Sequence, residues 1–241
     1  KTVRLNKNTG VCKGRNVGIK KATGDILIFL DDDEIIPDNN TTIKIIEKFK
    51  SDKLIGVLTF KVINYFDKKT ERRTIPSKNK LLVNKEFETT YFLGGANATR
   101  KEIFKKCGLL EEKFFYSMEE LDLSYRIMQT DYKIVYYPKI KFIHKHSLKE
   151  RSAWQHIYYP FRNRIWMTIK YLPTKYVYSQ LFIWGSYYFQ LSIRQGFLRY
   201  FIKAIYDGLK SFSYFKKKRV KLKLNKKTID KIKKLDGRLI Y

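Results

Sequence analysis

The sequence predicts an α/β protein, an open sheet with helices against it, followed by a helical extension. Three observations carry that reading. Ile26 to Leu30 is an unbroken apolar run between the turn residues Gly24-Asp25 and the breaker Pro37-Asp38-Asn39-Asn40. It has the length and punctuation of a buried strand. Up to about Ser147 such runs alternate with helical patterns, whereas the remainder is rich in Tyr, Phe, Trp and Lys and lacks strand-turn punctuation. The shift suggests a boundary near 150, with 1–150 as the α/β domain and 151–241 as a helical, aromatic and basic extension. A chain of 241 residues holds one large domain, or one ordinary domain and an appendage.

Gly10 to Ala22 has helical spacing, with Val11, Arg15, Gly18 and Ile19 on one face and Gly24 as the stop. The apolar run Ile26 to Leu30 then reads as a parallel strand covered on both faces. Thr41 to Lys50 is the next helix, and Val57, Leu58, Phe60, Val62 and Ile63 give one or two strands within Leu54 to Tyr65. Asp67 to Lys80 is charged and reads as a loop. Phe87 to Phe92 leads into Leu93-Gly94-Gly95-Ala96-Asn97, a bend whose glycines let backbone amides approach a ligand closely. Arg100 to Lys106 is helical and stops at Gly108. Ser117 or a neighbour caps a helix that carries Glu119, Glu120, Asp122 and Arg126. Lys133 to Tyr137 and Lys141 to Ile143 are short strands broken by Pro138, and His144-Lys145-His146 follows.

A net charge of +28 attracts polyanions over a distance set by salt, so nucleic acid and anionic membrane are the candidate partners. An AT-rich genome also drifts toward Lys, Ile and Asn. Cys12 and Cys107 are too few for a disulfide framework, and neither has the setting of a catalytic thiol; this points to a reducing compartment such as the cytosol. The chain opens at Lys1 without a secretory signal, and Val3-Arg4-Leu5 reads as a strand end entering a loop. An amino-terminal portion is therefore expected to be missing.

Asp31-Asp32-Asp33-Glu34 puts four carboxylates at the carboxyl end of the apolar run, where open α/β sheets bind ligands. Crowded like charges need a hard divalent ion or basic side chains beside them. The alternative is a solvated acidic turn ahead of the helix that starts near Thr41. In the second acidic constellation, Asp122 and Arg126 are four apart and form a helix-face salt bridge. Glu119 and Glu120 lie in the first turn, where the helix dipole favours negative charge. A carboxylate facing a cleft there serves as a general base once its pKa is tuned; ordinary dipole complementation is the competing account. His144 either completes a metal site with an Asp or is an exposed turn histidine.

Taken in order, Asn8-Thr9-Gly10 with Gly14-Arg15-Asn16-Val17-Gly18, Ala22-Thr23-Gly24-Asp25 running into Phe29-Leu30-Asp31-Asp32-Asp33, Leu93-Gly94-Gly95-Ala96-Asn97, Glu119 to Arg126, and Tyr137-Pro138 with His144 resemble the family 2 glycosyltransferases of the GT-A fold, particularly the rhamnosyltransferase-like enzymes of surface polysaccharides. The likeness covers about Asn6 to Ser147, with a weaker continuation through Arg162-Asn163 and Tyr171-Leu172-Pro173. It implies a Rossmann-like mixed sheet flanked by helices, truncated at the amino terminus because the strands of the nucleoside pocket would precede Lys1. It implies that Asp31 and Asp33 hold the nucleotide-sugar and a divalent metal, Mg or Mn, with Asp33 favoured as the direct ligand, Asp32 as the variable middle residue and His144 completing the metal site. Arg15 would approach the nucleotide diphosphate, and Gly94, Gly95 and Asn97 would form the loop beneath donor sugar and acceptor. Glu120 stands at the position of the catalytic base, but it is Glu where the family has Asp, which leaves Glu119 open as the alternative.

In the last third, Tyr176 to Ile193 is uncharged over 18 residues, yet its Ser, Gln and aromatic content makes a poor lipid-facing span; it packs on protein or dips into an interface. Leu198, Phe201, Ile202, Ile205, Leu209 and Phe212 form one helical face opposite Arg199, Lys203, Asp207 and Lys210, and the basic run Lys216 to Lys223 follows. That is an in-plane membrane pattern; the competing account is a helix packed on the catalytic domain with a solvated basic tail. The combined expectation is an inverting, metal-dependent sugar transferase, peripheral at the cytoplasmic face of the cell membrane, acting on a lipid-linked or polysaccharide acceptor. An inactive membrane-bound remnant is the alternative. A nucleic-acid-binding protein is disfavoured, because the basic tail carries no nucleic-acid module and the acidic strand edge would repel phosphate.

Overall fold

The computed structural model describes residues 2–146, 154–235 and 237, so the boundary expected at 150 lies outside the described residues. Helix α1 spans Val11–Lys21 and leads through the turn at Gly24-Asp25 into β1, Ile26–Phe29. A two-residue strand β2, Glu34–Ile35, and helix α2, Thr41–Ser51, flank the Pro37 break. Strand β3 is a single ten-residue strand, Ile55–Asn64, followed by β4, Phe87–Thr89, β5, Asn97–Arg100, and α3, Lys101–Cys107. Helix α4, Glu119–Met128, and strand β6, Lys133–His144, complete the α/β part, and α5 to α9 follow as Gln155–Tyr171, Thr174–Arg194, Leu198–Lys210, Phe212–Leu222 and Lys226–Lys234.

The sheet runs β1-β5-β3-β6-β2, with β4 also paired to β6. It is mixed: β3 and β6 are parallel, while β1–β5, β3–β5, β4–β6 and β2–β6 are antiparallel. Two expectations are corrected here. Strand β1 is not parallel: among the described residues it pairs on one side only, antiparallel to β5, and although Leu27 and Phe29 pack on one core and Ile26 on the other, Ile28 is exposed. Its apolar run suits an edge lined by the groove between β1 and α2, about 570 Å³ in volume, into which Ile26, Ile28, Ile45 and Ile46 project.

Pro138 does not divide β6 into two strands. Phe60 pairs with Tyr137 and Lys61 with Lys141, so the residues between bulge out while the strand continues. A bulge bends a strand and raises its twist. The first half of β6 therefore pairs with β4 and the second half with β2, and Glu34 lies opposite His144. That register brings the acidic turn to the histidine.

The sheet is apolar on both faces. Ile45 and Phe49 of α2 pack with Leu58, Phe60, Val62, Val135 and Phe142 on one side. On the other, a larger core runs from Cys12 and Ile19 through Leu123 and Ile134 to Phe161, Phe201, Phe215 and Ile232. Among the described residues, the carboxyl-terminal helices thus share a core with the α/β part. Asp122, fully buried, ties the two together: Arg126 Nη2 and Lys170 Nζ reach its carboxylate at 2.6 and 2.5 Å, and Tyr171 Oη donates to it at 2.9 Å. The expected Asp122–Arg126 pair forms, but as part of an interior network rather than on a solvated face.

No helix among the described residues is long and apolar enough to cross a membrane. The continuous apolar face expected from Leu198 to Phe212 is split. Phe201, Ala204 and Gly208 are buried, with Phe201 stacked on Phe161, whereas Ile202 and Leu209 are each 58% exposed. The basic run is divided too: Lys218 pairs with Glu111 at 2.5 Å, and Arg219 donates to the carbonyls of Ile169 and Leu172, so both serve the fold.

Candidate active site

Four segments converge at the carboxyl end of β1: the start of α1 with Arg15, the turn Asp31 to Glu34, the Gly94-Gly95 loop, and the first turn of α4. Arg15 is the hub. Its Nη2 donates to Asp31 Oδ1 at 2.8 Å, and its Nη1 lies 3.3 Å from Glu119 Oε1 and 3.7 Å from Glu120 Oε1. Burial works against the guanidinium charge, yet Glu120, Asp31 and Glu119 together hold its pKa above the ordinary arginine value. The arginine so links the acidic turn to the candidate base.

The loop glycines stand out by close approach rather than by backbone angle, since side-chain ends of the site crowd against both. A Cβ on Gly94 would collide with Glu120 Oε1 and lie 2.6 Å from Arg15 Nη1; one on Gly95 would collide with Glu34 Oε2 and lie 2.9 Å from Asp31 Oδ2. Asn97 is buried beneath the loop and ties it together: its Nδ2 lies within 2.9 Å of the carbonyls of Leu93, Gly94 and Gly95, and its Oδ1 accepts from Thr99 Oγ1. Glu34 joins the two loops by accepting from the amides of Asp31 and Ala96, each at 3.0 Å. Its place in the acidic run was visible in the sequence, but its use as a clamp was not. Burial pushes its carboxyl up.

Glu119 and Glu120 are not equivalent. Glu119 is 3% exposed, and burial followed by the adjoining Glu120 charge pushes its carboxyl well above the ordinary glutamate range. Glu120 keeps 26% of its side chain exposed beside Gly94; burial raises its carboxyl too, while Arg15 opposes the rise. The helix that carries them is not capped by Ser117. Its first turn follows Met118, which has φ 72° and no side-chain cap hydrogen bond. Phe115 and Ser117 are also in the left-handed region, at φ 62° and 72°. Asn163 and Arg162 of α5 hold this turn: Asn163 Nδ2 reaches the carbonyls of Phe114, Tyr116 and Ser117, and Arg162 Nη2 those of Lys113 and Phe114.

The expected metal ligands part company. Asp31 turns to Arg15, and Asp32 is exposed. Asp33 Oδ2 lies 3.3 Å from His144 Nε2, and Lys145 N donates to the Asp33 carbonyl at 2.7 Å. Two oxygen or nitrogen donors about 3 Å apart have the spacing of neighbouring ligands on a small divalent ion bonded at 2.0–2.1 Å. The Asp33–His144 pair fits such an ion. Behind it, Glu71 and His146 complete a cluster with His144 that sequence reading did not assemble, because Glu71 sits in the segment taken for a charged loop.

A mixed sheet flanked by helices, with an acidic turn ending an edge strand and a paired acid opening a helix across the cleft, defines the GT-A class of fold. Residues 1–108 match the family described as glycosyl transferase family 2. The match includes Arg15, Asp31 to Asp33, Gly94, Gly95 and Asn97 and stops before Glu119 and His144. An uncharacterized protein of Haemophilus influenzae is 41% identical over 106 residues, 43% of this chain and 57% of that one, so the chain spans little more than half of its relative. Among solved structures, GalNAc-T7 with UDP, GalNAc and Mn2+ superposes with TM-score 0.54 at 20% identity, over 90% of this chain and 44% of that one. S. aureus TarS 1-349 in complex with UDP-GlcNAc gives TM-score 0.55 at 14% identity, over 99% and 76%. At these identities the superpositions speak to the fold.

Proposed function

We propose that the protein is an inverting glycosyltransferase that moves a sugar from a nucleoside diphosphate to a hydroxyl of a lipid-linked or polysaccharide acceptor. The carrying observation is that Arg15 bridges Asp31 and the Glu119–Glu120 pair while Asp33, in the same acidic turn as Asp31, meets His144. The family match and the nucleotide ligands of the similar structures support the donor class. Asp33 and His144 would hold a divalent cation, Mg or Mn, which when bound neutralises charge on the departing diphosphate. Glu120 is the base: it is the exposed member of the pair, and its Oε1 takes the acceptor hydroxyl's proton as that oxygen forms the new bond to the anomeric carbon and the carbon–diphosphate bond breaks. Arg15 orients Glu120 and meets the diphosphate from the Asp31 side. No enzyme nucleophile enters, so the displacement inverts the anomeric centre.

We further propose that this chemistry occurs against an anionic membrane surface. Tyr178, Phe182, Phe189 and Ile193 make one exposed stripe on α6, and Leu198, Ile202, Tyr206 and Leu209 another on α7, each at the spacing of one helix face. Lys and Arg residues border both stripes on a chain of net charge +28. A transfer assay across a panel of uridine and guanosine diphosphate sugars with Mn2+ tests the reaction. Release of nucleoside diphosphate should require the metal and vanish in Asp33→Ala. Release that survives both chelation and Asp33→Ala would reject the reading.

A further inference from the structure

His144 has a carboxylate on each ring nitrogen. Nε2 faces Asp33 Oδ2 at 3.3 Å, and Nδ1 meets Glu71 Oε1 at 3.1 Å. Glu71 is only 6% exposed in its side chain, and its backbone is fixed on three sides: its N–H donates to Val62 O at 3.0 Å, and its carbonyl accepts from Thr74 N and Thr74 Oγ1 at 2.9 and 2.7 Å. The segment after β3 is thus folded back along the strand, with Asn64 N donating to Lys69 O at 2.9 Å and Tyr65 N to His144 O at 2.9 Å. Such anchoring is more than a solvated loop acid needs.

Carboxylates face both ring nitrogens, Glu71 the nearer at 3.1 against 3.3 Å, and a cation taken at Nε2 leaves the ring's one remaining proton on Nδ1, where an acceptor-only carboxylate can hold it. A histidine ligand whose other nitrogen donates to a carboxylate is fixed in both tautomer and ring orientation. We propose that Glu71 is the positioning residue of the metal centre, holding the His144 Nδ1–H so that Nε2 is presented beside Asp33. His146 Nε2, 2.7 Å from the same Glu71 oxygen, and its ring, 4.0 Å from that of His144, brace the pair from the outer side. The inference rests on the metal reading of Asp33 and His144 given above.

The rival arrangement is an ion seated by Glu71, His144 and His146 themselves, whose ligand atoms lie within 4.8 Å of one another. The test is Mn2+ alone, titrated into the full chain and followed by electron paramagnetic resonance, with the histidine tautomers of the Mg2+-loaded protein, which is diamagnetic, read by long-range nitrogen–proton NMR. Glu71→Ala and Glu71→Gln should each weaken Mn2+ binding by about 10- to 100-fold, with His144 losing its fixed Nδ1–H form. Thermal unfolding reports whether each variant folds, and Glu71→Gln, which keeps the shape, serves if Glu71→Ala does not. His146→Ala should stay within about threefold of the parent, since in this arrangement it packs on Glu71 and the His144 ring but takes no ligand position. If Glu71 variants bind Mn2+ like the parent while His144→Ala and Asp33→Ala do not, the inference fails and the metal reading stands. If His146→Ala is as damaging as His144→Ala, and Asp33→Ala is not damaging, the ion sits in the rival cluster and the inference is overturned. Parent-like binding in both His144→Ala and Asp33→Ala would reject the metal reading and the inference with it.

Discussion

The Asn163 carboxamide donates to the Ser117 carbonyl over 2.8 Å, from a helix of the carboxyl-terminal third to the turn that aims the paired acids. The same nitrogen lies 2.8 Å from Tyr116 O and 3.1 Å from Phe114 O, and Asn163 is fully buried. Residues held at positive φ cost about 1–3 kcal/mol each and persist only where their surroundings fix them. Asn163 is that surrounding. Asn163→Ala should destabilise the fold by roughly 1–3 kcal/mol, the cost of stranding buried carbonyls, and lower the turnover of the folded enzyme by misplacing Glu120. Urea unfolding and single-turnover transfer measure the two effects separately; an unchanged turnover in folded Asn163→Ala would show that the turn holds its shape without the side chain.

Glu120→Gln keeps the shape of the side chain and removes its capacity to take a proton. Turnover should fall by about 10²- to 10⁴-fold with donor affinity retained. Glu119→Gln should cost far less, because the buried carboxyl already favours its protonated form. A reversal of that order in steady-state assays would move the base to Glu119.

Stability should respond to pH with opposite signs from two buried acids. Glu119 has its folded pKa raised by burial, so above the ordinary glutamate range the folded state retains a proton that the unfolded chain has released. Stability therefore falls as pH rises through that window, until the folded-state carboxyl itself ionises. Asp122 is the reverse: burial would raise it, but Arg126 and Lys170 hold its carboxyl below the ordinary aspartate range. Its contribution is present above the unfolded pKa and is lost as pH falls through the folded one. Urea midpoints measured across pH should show a downward slope between the ordinary glutamate range and about 8 that Glu119→Gln flattens, and a loss at lower pH that Glu119→Gln leaves in place.

Membrane attachment should depend on the exposed stripes and not on the buried ones. Ile202→Asp with Leu209→Asp changes solvent-facing positions, whereas Phe201→Asp would report damage to the core stack with Phe161. The double variant should fold like the parent and leave the pellet in sedimentation with anionic vesicles. Replacing Lys216, Lys217 and Lys221 by Gln should weaken binding by about 1 kcal/mol per charge near the surface, less as salt rises. Undiminished sedimentation of the double variant would point to α6 as the attachment, and of a further Phe182→Asp variant would remove the membrane reading.

What the sequence determined lies in its local patterns. The apolar run ending in Asp31 to Glu34, the helix between Gly10 and Ala22, the glycine loop before Asn97 and the four-residue spacing of Asp122 and Arg126 were all readable, because helix period, strand length and turn residues act over a few positions. The tertiary structure decided what those patterns meet. Which edge of β1 is paired, and in which direction, depends on β5, about 70 residues away; the continuity of β6 past Pro138 depends on β3 accepting a bulge. Glu71 reaches His144 across 73 positions, and Asn163 reaches Ser117 across 46. The face of α7 that is buried was chosen by α5, through Phe161 against Phe201 and Ile165 beside Gly208. An amphipathic stripe states only that one side avoids water, while the partner that covers it, and how much of it is left for lipid, is fixed by packing between segments that the sequence keeps far apart.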